Sequence, residues 1–308
     1  MNNGVAPDVE RRLPRPDCYD LVRTLAPLRH GQGDPTIRLT TGRMVRATRT
    51  PEGPATVEAI EADDELIVRS WGPGAGWAVA RARDLLGLDD DPTALAALRP
   101  QHRLVVELAR RFAGVRLPRT DAVVEALVPA VLEQKITGEE ARQVYRALIR
   151  IHGEAAPGPY DVRLQPTPER MAGLPYHAYH PLGLERRRAE TLMRIGGLAA
   201  RLEETTTLPM PEAHQRLGSV TGIGPWTVGE VARVALGDPD AVSVGDYHLP
   251  SMVTFALAGE PRGDDARMLE LLEPYRGQRG RVVRLIEAGG VGPPRRGPRM
   301  ASRSIAGI

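Results

Sequence analysis

All of the period-two alternation in this chain lies in one early block. Between residues 35 and 70, Thr36-Ile37-Arg38-Leu39 and Met44-Val45-Arg46-Ala47 alternate apolar with other side chains. Ala55, Val57 and Ala59, and then Leu66 and Val68, repeat the pattern. Such alternation puts one face of each run on a core. Gly42, residues 51–54 and Asp63-Asp64 separate the runs as turns. From Asp91 onward no strand pattern recurs, and the apolar residues return at helical spacing. Strands first and helices after is the order of an α+β chain. The expectation is an N-terminal α+β domain at 17–90, built on an antiparallel sheet with one buried face, followed by an all-helical body at 91–291. Residues 1–16 and the basic, proline-rich 292–308 read as disordered tails.

Local signals place the helices. Asp17 is a candidate N-cap for a helix over 18–28, and Gly87 ends one over 75–86. Helices are expected over 92–98 and 102–112, over 121–135 capped by Thr120, and over 138–152 capped by Thr137. Glu140 stands in the capping-box position of the last of these. A proline-rich connection at 153–167 leads to helices over 168–172, 185–204, 211–217, 266–272 and 280–288.

The chain of 308 residues contains no run of 18 apolar residues, so no membrane span is expected. Its polar opening does not read as a secretory signal. Cys18 is the single cysteine. One thiol forms no internal disulfide and cannot hold an iron–sulfur cluster. These features suit a cytoplasmic protein. The formal net charge of +2 does not announce a nucleic-acid partner, so a local positive face would have to serve. Of the 41 Lys and Arg side chains, all but Lys135 are arginine, whose planar fork bonds two phosphate oxygens at once.

The stretch 217–252 organises the helical body. After the approach Leu217 to Val220 comes a tight turn, Thr221-Gly222-Ile223-Gly224, and Pro225 opens a helix with Val228, Val231, Ala232, Ala235 and Leu236 on its apolar face. Proline suits a first helical position because its missing N–H would be unpaired there. The unpaired N–H groups and dipole of a helix start can hold a phosphate, and glycines let a backbone approach. The turn therefore reads either as a phosphate cradle or as a plain helix–helix connection. Asp246, between Gly245 and Tyr247, stands before another helix, where it suits an N-cap.

Taken together, Gly222-Ile223-Gly224-Pro225-Trp226-Thr227 and Gly245-Asp246-Tyr247, with Asp246 22 residues after Gly224, resemble the helix-hairpin-helix DNA glycosylase superfamily. The region 17–90 resembles the front domain of its AlkA-type members, in its order of elements and in the exit Leu88-Asp89-Asp90-Asp91-Pro92. The resemblance implies a monofunctional glycosylase of base excision repair. Its partner is double-stranded DNA carrying a damaged base, and it works as a nucleoid-associated monomer. The base to be cut must leave the stack, and the sugar becomes cationic as the bond breaks. The resemblance assigns that charge to Asp246 as catalytic carboxylate. It gives the DNA backbone to Gly222, Ile223, Gly224 and Thr227. No cofactor is implied, though the Val220 and Ile223 carbonyls can hold a structural Na+ or K+.

Gln134 and Lys135 fall where the family places the residues that fill the vacated stack. Trp226 matches an aromatic position of the base pocket. Three positions depart from the pattern: Lys135 stands where the family carries an apolar wedge, Glu230 replaces a tyrosine, and Arg284 a tryptophan. Glu230 either attracts a cationic base by charge or pairs with Arg284. Bifunctional relatives carry a nucleophilic lysine where Trp226 stands, so no Schiff base is implied. The alternative is a diverged, non-catalytic DNA-binding protein.

Overall fold

The computed structural model describes residues 5–98 and 102–294. Five antiparallel strands form one sheet in the order β1-β5-β4-β3-β2. They are β1 (Val9–Pro14), β2 (Ile37–Thr40), β3 (Arg43–Thr50), β4 (Gly53–Glu61) and β5 (Glu65–Trp71). The four alternating runs supply β2 to β5, and the fold is α+β as expected. One face packs Ile37, Leu39, Met44, Val57 and Val68 against Leu21, Leu25, Val79 and Leu86.

Three expectations need correction. Part of 1–16 is a strand rather than a tail: β1 pairs with β5, Val9 opposite Ser70 and Leu13 opposite Leu66. Its sequence, VERRLP, carries too little alternation to announce a strand, and the pairing comes from the open edge of β5. Second, the sheet is covered on both faces. The connection after residue 153 forms a short pair, Glu154–Ala155 with Arg163–Leu164. From it, Val162 and Leu164 pack on Val45 and Ala47. Third, Thr120 does not cap the next helix, which runs Val123–Leu132. The Glu203 carboxylate does so from a distant segment, accepting from the Val123 and Val124 N–H groups at 2.9 and 2.8 Å. Burial pushes that carboxyl up to about 7, against the pull of the two N–H groups. The expected tail at 292–308 lies outside the described residues from 295 on.

One other local signal holds, and one shifts by three residues. Thr137 and Glu140 form the capping box on Gly138–His152. Asp20, rather than Asp17, caps Leu21–Leu25.

The helical body has two hydrophobic cores. One gathers Val124, Leu127, Val131, Leu148 and Leu192 with Ile223, Val231 and Ala235 of the hairpin region. The other gathers Val105 and Leu108 with Leu249, Val253, Met268, Val282 and Ile286. The loop 237–248 crosses from one core to the other, and Asp246 stands on it. The front domain is bolted on by Glu125, whose carboxylate accepts from Arg46 Nη2 at 2.7 Å, Thr48 Oγ1 at 2.9 Å and the Arg49 N–H at 2.6 Å. Arg281 adds a pair with Asp90, Nη1 to Oδ2 at 3.0 Å.

Candidate active site

The helix after the turn runs Pro225–Val231 and continues as one π-helical stretch, Ala232–Leu236, closed by Gly237 at φ 65°. Gly222 lies at φ 99°, and a β-carbon there would stand 2.3 Å from the Thr191 hydroxyl oxygen. Both facts require glycine. Gly224 differs: its φ is −100°, and a β-carbon would meet no atom within 4 Å among the described residues beyond its two chain neighbours. Nothing among the described residues demands a glycine at 224.

Two side chains hold the turn from behind. Arg194 Nη1 donates to the Thr221 carbonyl at 2.7 Å. Gln134 Nε2 donates to the Gly222 carbonyl at 3.0 Å and to Thr227 Oγ1 at 2.9 Å. Gln134 is thus tied to the hairpin, and Thr227, 1% exposed, is buried beneath it. The Thr227 hydroxyl is thus committed inside the chain, while its backbone N–H, in the first helical turn, is of the kind that suits a phosphate. Lys135, next to Gln134, is exposed and sits at φ 56°, a conformation that costs a residue with a β-carbon roughly 1 kcal/mol or more. Arg188, buried, fixes the preceding helix end through the Leu132 carbonyl at 3.0 Å. Val220 O already accepts from the Ile223 N–H at 2.9 Å, which leaves it a second lone pair.

Asp246 is held by three donors. Oδ1 accepts from the backbone N–H groups of His248 (2.7 Å) and Leu249 (2.8 Å); His248 is the N-cap of the helix Leu249–Ala258, so Asp246 stands two residues before the cap position expected for it and holds the helix start from there. Oδ2 accepts from Trp226 Nε1 at 3.0 Å. The indole N–H thus orients the carboxylate. Gly245, at φ 93°, donates its N–H to Asp265 Oδ1 at 3.1 Å and pins the loop.

Beside Asp246 stands a charged cluster. The Asp246 N–H reaches the Ser243 carbonyl at 3.3 Å, and Ser243 Oγ donates to Glu230 Oε1 at 2.5 Å. Arg233 Nη1 lies 3.7 Å from Glu230 and 3.4 Å from Glu287. Arg284 lies 3.8 Å from Glu287 and donates to the Arg23 carbonyl of the front domain at 2.5 Å. Glu230 and Arg284 therefore do not pair directly; Arg233 and Glu287 stand between them. Burial pushes the Glu230 carboxyl above its usual range, opposed by Arg233 and Ser243. Glu230 in turn raises Arg233. Arg233 was missed from sequence, although it lies seven residues after Trp226 on one helical stripe. Ser243 and Glu287 left no local signal.

A small antiparallel-sheet domain fused to helices, with a glycine hairpin and a capped aspartate at the helix that follows, defines the helix-hairpin-helix class. No family model matches the chain. Among curated proteins it is 31% identical over 222 residues to the probable bifunctional transcriptional activator/DNA repair enzyme AlkA of Mycobacterium tuberculosis, covering 68% of this chain and 43% of that one. It is 29% identical over 138 residues to DNA-3-methyladenine glycosylase 2 of Escherichia coli, covering 44% of this chain and 48% of that one. The aligned part thus spans about half the length of these relatives or less. A solved 3-methyladenine DNA glycosylase from Archaeoglobus fulgidus superposes with a TM-score of 0.75 at 21% identity, over 90% of this chain and 97% of that one. The chain belongs to the helix-hairpin-helix DNA glycosylase superfamily, of the AlkA type. No helix among the described residues is long and apolar enough to cross a membrane.

Proposed function

We propose that this chain is a monofunctional DNA glycosylase that hydrolyses the N-glycosidic bond of an alkylated purine flipped out of duplex DNA. The observation that carries the reading is Asp246: two backbone N–H groups and one indole N–H aim its carboxylate beside the hairpin. A cap alone needs one oxygen; the third donor orients the other. As the bond breaks, positive charge grows on the sugar, and a fixed carboxylate stabilises it without reorganising. Oδ2 also suits a water that attacks the sugar carbon and gives up its proton. A non-catalytic binding protein is not favoured, because it has no use for that second oxygen.

The hairpin supplies the grip. The N–H groups at Gly224 and the first helical turn meet a phosphate, the Ile223 N–H being already bound to the Val220 carbonyl, and the open space at Gly224 is where the DNA backbone comes close. The Val220 and Ile223 carbonyls suit a monovalent cation, which when bound adds positive charge beside that phosphate. Lys135, exposed and held at positive φ, is the residue of the helix junction that reaches the vacated stack or its phosphates. The chain acts as a monomer in the cytoplasm, at the nucleoid.

Gly222 and Gly224 separate folding from binding. Gly222→Ala should lower stability by roughly 2 kcal/mol, through positive φ and the Thr191 clash. Gly224→Val should melt within a few degrees of the parent yet bind duplex DNA about tenfold more weakly, a loss of ~1.4 kcal/mol. Thermal melts and binding titrations of both variants check this; parental binding by Gly224→Val removes the hairpin from the DNA contact.

The reaction itself is tested on methylated duplex DNA. The expected products are free base and an unbroken strand with an abasic site. Borohydride should trap no protein–DNA adduct, since an imine needs an amine and Trp226 has none. Efficient trapping that disappears with Lys135→Arg overturns the monofunctional reading.

A further inference from the structure

The base pocket of the proposed glycosylase carries ions where a stacking pocket would carry rings. We infer that Glu230 and Arg233 together read the Watson–Crick edge of the extruded base, and that the pair favours guanine-derived over adenine-derived lesions. This rests on the glycosylase reading above.

Position is the first support. Trp226, Glu230 and Arg233 follow one another at helical spacing i, i+4, i+7, which puts them on one stripe. Trp226 bonds Asp246 directly, and Glu230 reaches the same loop through Ser243. The stripe therefore leads from the sugar site inward. Accessibility is the second. The Glu230, Arg233 and Glu287 side chains keep 22%, 25% and 29% of their exposure, although they are crowded enough for burial to raise the Glu230 carboxyl. Crowded as they are, these groups stay reachable from outside.

Unused hydrogen-bonding capacity is the third. Among the described residues, Arg233 makes one hydrogen bond, from Nη1 to Glu287 at 3.4 Å, out of the five donors of a guanidinium. Glu230 uses Oε1 for Ser243, and its Oε2 accepts no hydrogen bond among the described residues. A carboxylate and a guanidinium side by side thus have acceptors and donors left for a base.

Guanine and its 7-alkyl derivative offer an acceptor, O6, followed by two donors, N1–H and N2–H. A guanidinium donor on O6 and the carboxylate on N1–H and N2–H make three bonds. An adenine-derived base meets the same pair with two at most, through its 6-amino group and N1. The charge balance points the same way. Arg233 offsets Glu230, so the pair attracts a cationic base weakly and must select by hydrogen bonding. A site built for such bonds rejects a base that leaves its buried polar groups unpaired.

The test is single-turnover release of 7-methylguanine and 3-methyladenine from one methylated duplex, compared between parent and variants. Arg233→Met should slow 7-methylguanine release by about tenfold or more and alter 3-methyladenine release by less than about threefold. Arg233→Lys keeps the charge and loses the fork; it should shift the ratio in the same direction, and it serves if the methionine variant fails to fold. Glu230→Gln, which puts an N–H₂ where an oxygen accepted, should also lower the ratio. Equal slowing of both bases by all three variants makes the cluster structural and overturns the inference while leaving the glycosylase intact. Release of neither base by the parent overturns the glycosylase reading, and this inference with it.

Discussion

Asp246→Asn is expected to lower excision by a factor on the order of 10² or more while DNA binding stays near the parental level. The reason is when the charge appears. The sugar is neutral in the bound substrate and cationic only along the reaction, so the carboxylate contributes to the transition state and little to binding. Asparagine keeps an oxygen for the His248 and Leu249 N–H groups and caps a helix about as well as aspartate. Its amide nitrogen, however, cannot accept the Trp226 indole N–H that Oδ2 accepts at 3.0 Å. A small stability loss is expected from that one bond, about 1 kcal/mol. Single-turnover kinetics on a duplex the parent processes, with a binding titration and a melt on the same variant, separates these effects. A parental excision rate would leave Asp246 as a cap only, and Glu230 would be the next carboxylate to test.

The largest stability effect should come from Glu125. Its carboxylate joins the helix Val123–Leu132 to the front sheet through Arg46, Thr48 and the Arg49 N–H. The Arg46 and Glu125 side chains are each 11% exposed. Glu125→Ala strands a buried guanidinium, a hydroxyl and an N–H at once. Removing one partner of a buried pair costs about 3–5 kcal/mol, a large part of a stability of roughly 5–15 kcal/mol. The double variant Arg46→Met, Glu125→Leu should recover much of that loss, because two apolar groups leave no charge unpaired. Denaturant titrations of the parent, Arg46→Met, Glu125→Leu and the double variant give the coupling, and one of Glu125→Ala gives the loss. A loss under about 1 kcal/mol for Glu125→Ala would mean that the apolar contacts between sheet and helices hold the domain without it.

What the sequence determined by itself were the features whose cause lies within a few residues. Alternation marked β2 to β5, because side chains on a strand change face at every residue. Thr137 and Glu140 announced their helix through a capping box that closes over three residues. Gly222, Gly224 and Pro225 announced the turn, and Asp246 announced a helix start that its carboxylate does hold, from two residues before the N-cap His248, since both rest on local backbone geometry.

Tertiary structure decided what depends on contact between distant segments. β1 exists because β5 offers an open edge, not because VERRLP prefers a strand. Glu203 displaced Thr120 as a cap because the fold carries its carboxylate 80 residues back to Val123. Gln134 was legible as a residue of the helix junction, but only the packed hairpin shows that its amide is already bound. The same holds for the charged cluster. Glu230 could be picked out as a departure from an aromatic pocket, yet its meaning rests on Arg233, Ser243 and Glu287, brought together from two helices and a loop. Ion pairs of this kind depend on distance in space and on burial. A linear sequence encodes both only through the completed fold.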